Sequence, residues 1–155
     1  MNFNELKCII MQYLLLSCSN KKNKYDTPVA AIDLYNGVFF SVYRKALRNN
    51  PKLASCVKLI IISAKYGLIE DTDILSFYDQ KMSLENANQQ RKENTEKLKA
   101  LIIRDKPQSL TAIMGRTYLQ SIDLSDIPIP TEIINGEIGV MLHNLKVWLN
   151  TVTEE

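Results

Sequence analysis

Apolar residues along this chain fall into short blocks separated by polar clusters, and the blocks alternate between two periods. The first block, Ile9–Ser17, is apolar almost throughout and ends in Ser17-Cys18-Ser19-Asn20-Lys21-Lys22. Continuous apolar character over so short a run predicts a strand buried on both faces, as in a parallel sheet. That strand needs little before it, so Met11 is an alternative start. From Pro28 the spacing turns helical: Pro suits a first turn, and Ala31, Leu34 and Tyr35 recur at intervals of three and four. Asn36-Gly37 breaks this helix, and a second runs over Val38–Asn49 until Pro51. Val57–Ser63 is the clearest strand, a β-branched run closing on Ala64-Lys65-Tyr66-Gly67. Ile69–Met82 reads as irregular and aromatic. Ser83 then caps a long polar helix to about Ile103, which Pro107 ends. Leu110–Met114 is a third buried strand, closing on Gly115-Arg116. A short helix, a turn at Pro128 and Pro130, a short strand at Glu132–Ile134 and a helix opened by Gly136 to Gly139 and running to Leu149 complete the chain.

Strands alternating with helices predict an α/β fold, a three-layer sandwich with a mostly parallel four- to five-stranded sheet of Rossmann-like type. With 155 residues, no internal repeat and no linker, the whole of 1–155 is expected to be a single domain. At 46% hydrophobic and 23% charged, the composition excludes a disordered tail and a disulfide-stapled scaffold. No apolar stretch approaches the roughly 18–20 residues that span a bilayer, and the first residues lack a signal-peptide layout. Cys8, Cys18 and Cys56 are odd in number and show no CxxC spacing, so neither a disulfide framework nor a metal site is expected. A reduced, cytoplasmic protein without membrane contact is the expectation.

Net charge is only +2, yet it is unevenly placed. From Met1 to Gly67 ten basic residues face three acids; beyond, nine face fourteen. A basic half suits an anionic partner such as a nucleotide or nucleic acid, although ordinary solvation of helix faces explains it as well. In an open parallel sheet, ligands bind beyond the carboxyl ends of the strands. Three predicted strands end in suggestive residues: Ser17-Cys18-Ser19, Ser63-Ala64-Lys65-Tyr66-Gly67 and Gly115-Arg116. Their convergence at one edge points to a site more strongly than any single motif does.

Cys18, with Lys21, Lys22 and Lys24 close behind, is the candidate nucleophile, because neighbouring cations favour the thiolate. A small core filler is the alternative, and Cys8 and Cys56 read as structural. Lys22 and Lys65 are the better candidates for holding an anion or moving a proton; Lys21 and Lys24 read as a solvated turn. Asp33 and Tyr35 lie too close in sequence to share a helix face, so one belongs to the core and the other to a site. Arg44 is a ligand candidate or a surface ion pair. Tyr66, Tyr78 and Phe77 with Asp79 suit a stacked base whose edge is read by a carboxylate, or a loop packing its own rings. Gly67 is expected at positive φ or close to a ligand. Gly136 and Gly139 would let a phosphate approach a helix N-terminus, although close packing explains them too. His143 is the sole histidine, which argues against His-centred catalysis, and no Walker or GxGxxG loop follows a strand. No cofactor is expected.

Several of these segments together carry a resemblance. Leu14-Leu15-Leu16-Ser17-Cys18-Ser19-Asn20-Lys21-Lys22, Ala31 to Gly37, Ile62 to Ile69, Tyr78-Asp79 with Met82, and Gly136 to Leu142 with Leu145 resemble an uncharacterised family of small bacterial, archaeal and phage proteins. That family is similar to the peroxide-stress protein YaaA through its Ser-x-x-Tyr-Gly-Leu block, and YaaA is associated with DNA binding. The Cys-Ser-x-Lys segment also resembles a motif of archaeosine synthase, an enzyme acting on a deazaguanine base, though Leu16 and Ser17 stand where that motif has Pro. The resemblance implies a protein that binds a nucleobase, nucleotide or nucleic acid (DNA or RNA), with base modification or N-glycosidic chemistry as its enzymatic form. A non-catalytic DNA-binding stress or defence protein is the alternative. In the enzymatic form Cys18 attacks, Lys22 and Lys65 assist, and Asp79 reads the base.

Overall fold

The computed structural model describes residues 10–153. Its centre is β1 (Gln12–Ser17), in which Tyr13, Leu14, Leu15 and Leu16 are all buried. A strand this apolar needs neighbours on both edges and cover on both faces. It has them: β1 pairs in parallel with β3 (Val57–Ser63) on one side and with β6 (Ser109–Ile113) on the other. β6 pairs in parallel with β7 (Thr131–Ile134). Ser17 lies opposite Ile62, and Leu16 opposite Ile61 and Ile113, so the three carboxyl ends share one level.

Alternating side chains divide the core in two. Leu14, Leu16, Leu59 and Ile61 meet α2 (Val38–Asn49) and α6 (Ile138–Thr151) through Phe40, Tyr43, Met141 and Leu145. Tyr13, Leu15, Ile60 and Ile62 meet α4 (Leu84–Asp105) through Leu98 and Ile102. At about 1.5–3 kcal/mol per fully buried large aliphatic side chain, these two layers dominate the favourable side of folding. The result is a three-layer α/β sandwich with a mostly parallel five-stranded sheet.

The fifth strand corrects the reading of Ile69–Met82 as irregular. β4 (Gly67–Glu70) returns antiparallel along β3 and forms the sheet edge. Its sequence signal is weak because only Leu68 and Ile69 precede Glu70. β5 (Ile74–Leu75) pairs with β2 (Val29–Ala30), where a helix was expected from Pro28; the helix α1 begins only at Ala31 and ends at Leu34. A short helix α3 (Leu53–Cys56) leads into β3. Cys56 is disulfide-bonded, which corrects the expectation of a chain without disulfides; Cys8 lies outside the described residues. Among the described residues, no helix is long and apolar enough to cross a membrane.

Gly67 takes φ +73°, as its place after the β3 exit requires, and a Cβ there would lie 2.8 Å from the Asn94 Oδ1 of α4. Gly67→Ala therefore carries both backbone strain and a clash. We expect a stability loss on the order of 1–3 kcal/mol, read as a lowered urea midpoint at unchanged slope. A wild-type midpoint would show that the turn tolerates a side chain.

Candidate functional site at the carboxyl edge of the sheet

The chain leaves β1 toward β3 and later returns to β1's other side as β6. Strand order thus reverses at β1 and β6, the place where open α/β sheets form a crevice. Cys18 follows β1 there, and its N–H donates to the Ile62 carbonyl at 2.9 Å, extending the ladder by one rung. The Cys18 sulfur accepts the Ala64 N–H at 3.4 Å and pairs with the Tyr118 hydroxyl at 3.0 Å. Tyr118 belongs to α5 (Arg116–Leu119), directly after β6. Three strand exits therefore meet around one sulfur.

Beside it is a cluster of hydroxyls. Ser63, fully buried at the end of β3, accepts the N–H groups of Lys65 at 3.2 Å and Tyr66 at 3.0 Å. Its hydroxyl pairs with Tyr78 at 2.8 Å, and Tyr78 with Tyr35 at 2.6 Å. Burial pushes the Tyr35 phenol up to about 12 and raises those of Tyr78 and Tyr118, with a charge at Cys18 adding to each. All three stay protonated near neutral pH. The Lys22 ammonium lies 4.4 Å from the Tyr78 ring centroid, a cation–π contact that covers the cluster from outside. Lys65 stands 5.2 Å from the Tyr66 ring, and Tyr66 meets Tyr78 edge-on.

The remaining expected residues take varied places. Tyr35 is buried and Asp33 exposed, the division their spacing required. The Ser19 hydroxyl donates to the Lys21 carbonyl and accepts the Gly37 N–H at 3.1 Å. A Cβ on Gly37 would sit 2.6 Å from that of Ser19, so this loop closes only around glycine. Arg44 donates to the carbonyls of Ile32 and Tyr35 and to Asn36, bracing the α1–α2 junction from below. Ser17 is half-buried, and Asp79, Gly115, Arg116, Gly136 and Gly139 are exposed. Gly115 opens α5, while Gly136 and Gly139 flank the start of α6, on the same edge of the sheet.

Sequence reasoning missed a stripe of carboxamides. Gln80, Asn86 and Gln90 all donate to the Ala64 carbonyl, at 3.0, 2.7 and 3.0 Å. Asn94 accepts the Leu68 N–H at 2.9 Å and donates to the Ser121 carbonyl. The four-residue spacing of Asn86, Gln90 and Asn94 on a helix was the available signal. Tyr118 was missed as well, although it stands just past Gly115-Arg116.

A cavity of about 440 Å³ lies elsewhere, between the C-terminal halves of α2 and α6, lined by Val42, Ala46, Leu53 and Leu149 with Lys45 and Lys146. It sits at the amino edge of the sheet and holds no nucleophile and no buried titratable group. Among the described residues, no cluster of His, Cys, Asp and Glu has the makings of a metal site. The candidate site residues cluster at the other edge.

The Cys18 sulfur is buried and already engaged, whereas Cys56 is bonded. Alkylation without reductant should therefore modify Cys18 slowly and leave Cys56 untouched. Tyr118→Phe removes a hydroxyl that stabilises negative charge on the sulfur and should lower the Cys18 rate roughly three- to tenfold, measured by mass-spectrometric peptide mapping. An unchanged rate would mean that the Tyr118 hydroxyl does not stabilise the thiolate.

No curated protein matches the chain. Residues 13–146 match a family of unknown function, a span that includes β1, the Ser63 turn, the carboxamide stripe and most of α6. The chain belongs to that family of unknown function, DUF6884.

Proposed function

We propose that this protein binds a nucleobase or nucleotide in the crevice where β1 and β6 part. The observation that carries this reading is the convergence of the three strand exits on one edge, where the Cys18 sulfur meets the Tyr118 hydroxyl and the N–H of Ala64, the residue after Ser63. Aromatic rings and neutral amides line that edge, and they suit a flat heterocycle with polar margins. The Lys22 and Lys65 ammoniums stand outside the rings, where a phosphate would meet them while still partly solvated. The resemblance to archaeosine synthase and YaaA supports the same ligand class.

The enzymatic form of the reading makes Cys18 the nucleophile toward a base or glycosidic carbon, with Lys22 and Lys65 assisting and Asp79 at the base edge. The contact of its sulfur with the Ala64 N–H and the Tyr118 hydroxyl favours this form, since both groups stabilise negative charge on sulfur. A DNA-binding stress protein in a cytoplasmic setting is the second reading, and the basic balance of the first 67 residues favours it.

Calorimetric titration with the four ribonucleoside monophosphates, their nucleosides and short single-stranded DNA and RNA separates these readings. We expect at least one mononucleotide to bind, and Lys22→Ala to weaken it about tenfold, equivalent to about 1.4 kcal/mol. Binding confined to polynucleotides, with log affinity falling linearly in log salt, would favour the second reading. No binding of any of these probes would overturn both.

A further inference from the structure

The helices α2, α3 and α6, which cover one face of the sheet, contain no Asp or Glu. Their charged residues are Arg44, Lys45, Arg48 and Lys146, with His143 beside them. A helix face that is merely solvated mixes both signs, as α4 does with its Glu93–Lys97 pair across one turn. Arg44 is engaged by the Ile32 and Tyr35 carbonyls. Lys45 and Lys146 are exposed, and neither has a hydrogen bond or ion pair with a described residue. Helix dipoles do not account for these two, because that influence falls off within the last turn. The last turn of α2 holds Arg48 rather than Lys45, and that of α6 holds no cation.

Both lysines line the cavity of about 440 Å³ between the C-terminal halves of α2 and α6. Its apolar part is built from Leu53 and Leu149, which are buried, and from Val42 and Ala46, which are half-buried. Asn50 donates to the Thr153 hydroxyl at 3.2 Å, tying the end of α2 to that of α6. Asn49 and Asn150 also line the cavity, and their carboxamides have no hydrogen-bond partner among the described residues. We propose that this cleft binds a small apolar carboxylate, its body covering Leu53 and Leu149 and its charge met by Lys45 and Lys146. The volume falls in the range of small-molecule pockets, about 300–1,000 Å³. Because both lysines are exposed, the carboxylate stays partly solvated and escapes the cost of burying an ion. Inorganic phosphate would gain nothing from the apolar floor, and a neutral lipid nothing from the lysines. The cleft is at the opposite edge from the Cys18 crevice, so the proposal stands apart from the nucleotide reading.

Calorimetric titration of the full chain with octanoate and with 1-octanol tests the proposal. Octanoate should bind saturably and about tenfold tighter than octanol, the worth of one or two exposed charge contacts. Replacing both lysines (Lys45→Met with Lys146→Met) should remove that tenfold advantage and leave octanol binding and the melting temperature near wild type. Backbone amide shifts on adding octanoate should centre on Val42, Ala46, Leu53 and Leu149. Equal affinity for octanoate and octanol, wild-type octanoate affinity in the double variant, or shifts centred on Cys18 and Ser63 would each overturn the proposal. So would the absence of saturable binding at millimolar octanoate. Glu154 and Glu155, which lie outside the described residues, are replaced by Gln in a parallel sample. Octanoate binding confined to that variant would make the chain's own carboxylates the occupant of the cleft and would refute a separate ligand.

Discussion

The constraint on which this structure depends is the hydrogen-bonding of backbone groups where β3 leaves the sheet. A β-branched strand buried on both faces must turn within Ala64-Lys65-Tyr66 and come back as β4. Ala64 and Gly67 in that turn are buried and Tyr66 is half-buried, so unpaired N–H or C=O groups there would be destabilising. The ladder cannot serve those groups, so side chains do. Ser63 takes two N–H groups, Cys18 takes that of Ala64, Asn94 takes that of Leu68, and three carboxamides reach the Ala64 carbonyl. These side chains come from β3, the β1 exit, the Tyr78 loop and α4. One local requirement thus draws separate parts of the chain to a single edge.

The candidate site is a consequence of that requirement. Residues recruited to satisfy the turn are polar, buried and held by several partners, which is the preorganisation a binding site needs. Tyr78 shows the double role: it pairs with Ser63, carries Lys22 on its ring face and joins Tyr35. Arg44 shows the support beneath, fixing the segment that delivers Tyr35. The cavity between α2 and α6 has volume but no such convergence. Chemistry rather than room distinguishes the carboxyl edge.

Much of this was legible in the chain. The four parallel strands are marked by apolar runs, and the residues that close them include Cys18, Ser63, Lys65, Tyr66 and Gly115. Gly67 was legible because a sharp exit from a buried strand calls for positive φ, and +73° is what it adopts. Other features depend on tertiary pairing and leave faint local marks. β4 is four residues long and owes its existence to β3 beside it. Val29–Ala30 is extended only because Ile74–Leu75 lies across from it. The carboxamides read as ordinary helix solvation, since nothing in the sequence says that α4 passes over the Ala64 carbonyl. The Cys56 disulfide was hidden by the odd cysteine count, which spoke against pairing.

Amide hydrogen exchange measured by nuclear magnetic resonance tests the central claim most directly. If side chains satisfy the β3–β4 turn, the N–H groups of Ala64, Lys65, Tyr66 and Leu68 should exchange as slowly as those within β3, despite lying in a turn. Replacing Ser63 by Ala should then release Lys65 and Tyr66 while leaving Leu68 protected through Asn94. Exchange of all four amides at the rate of an open loop in the wild-type protein would contradict the account.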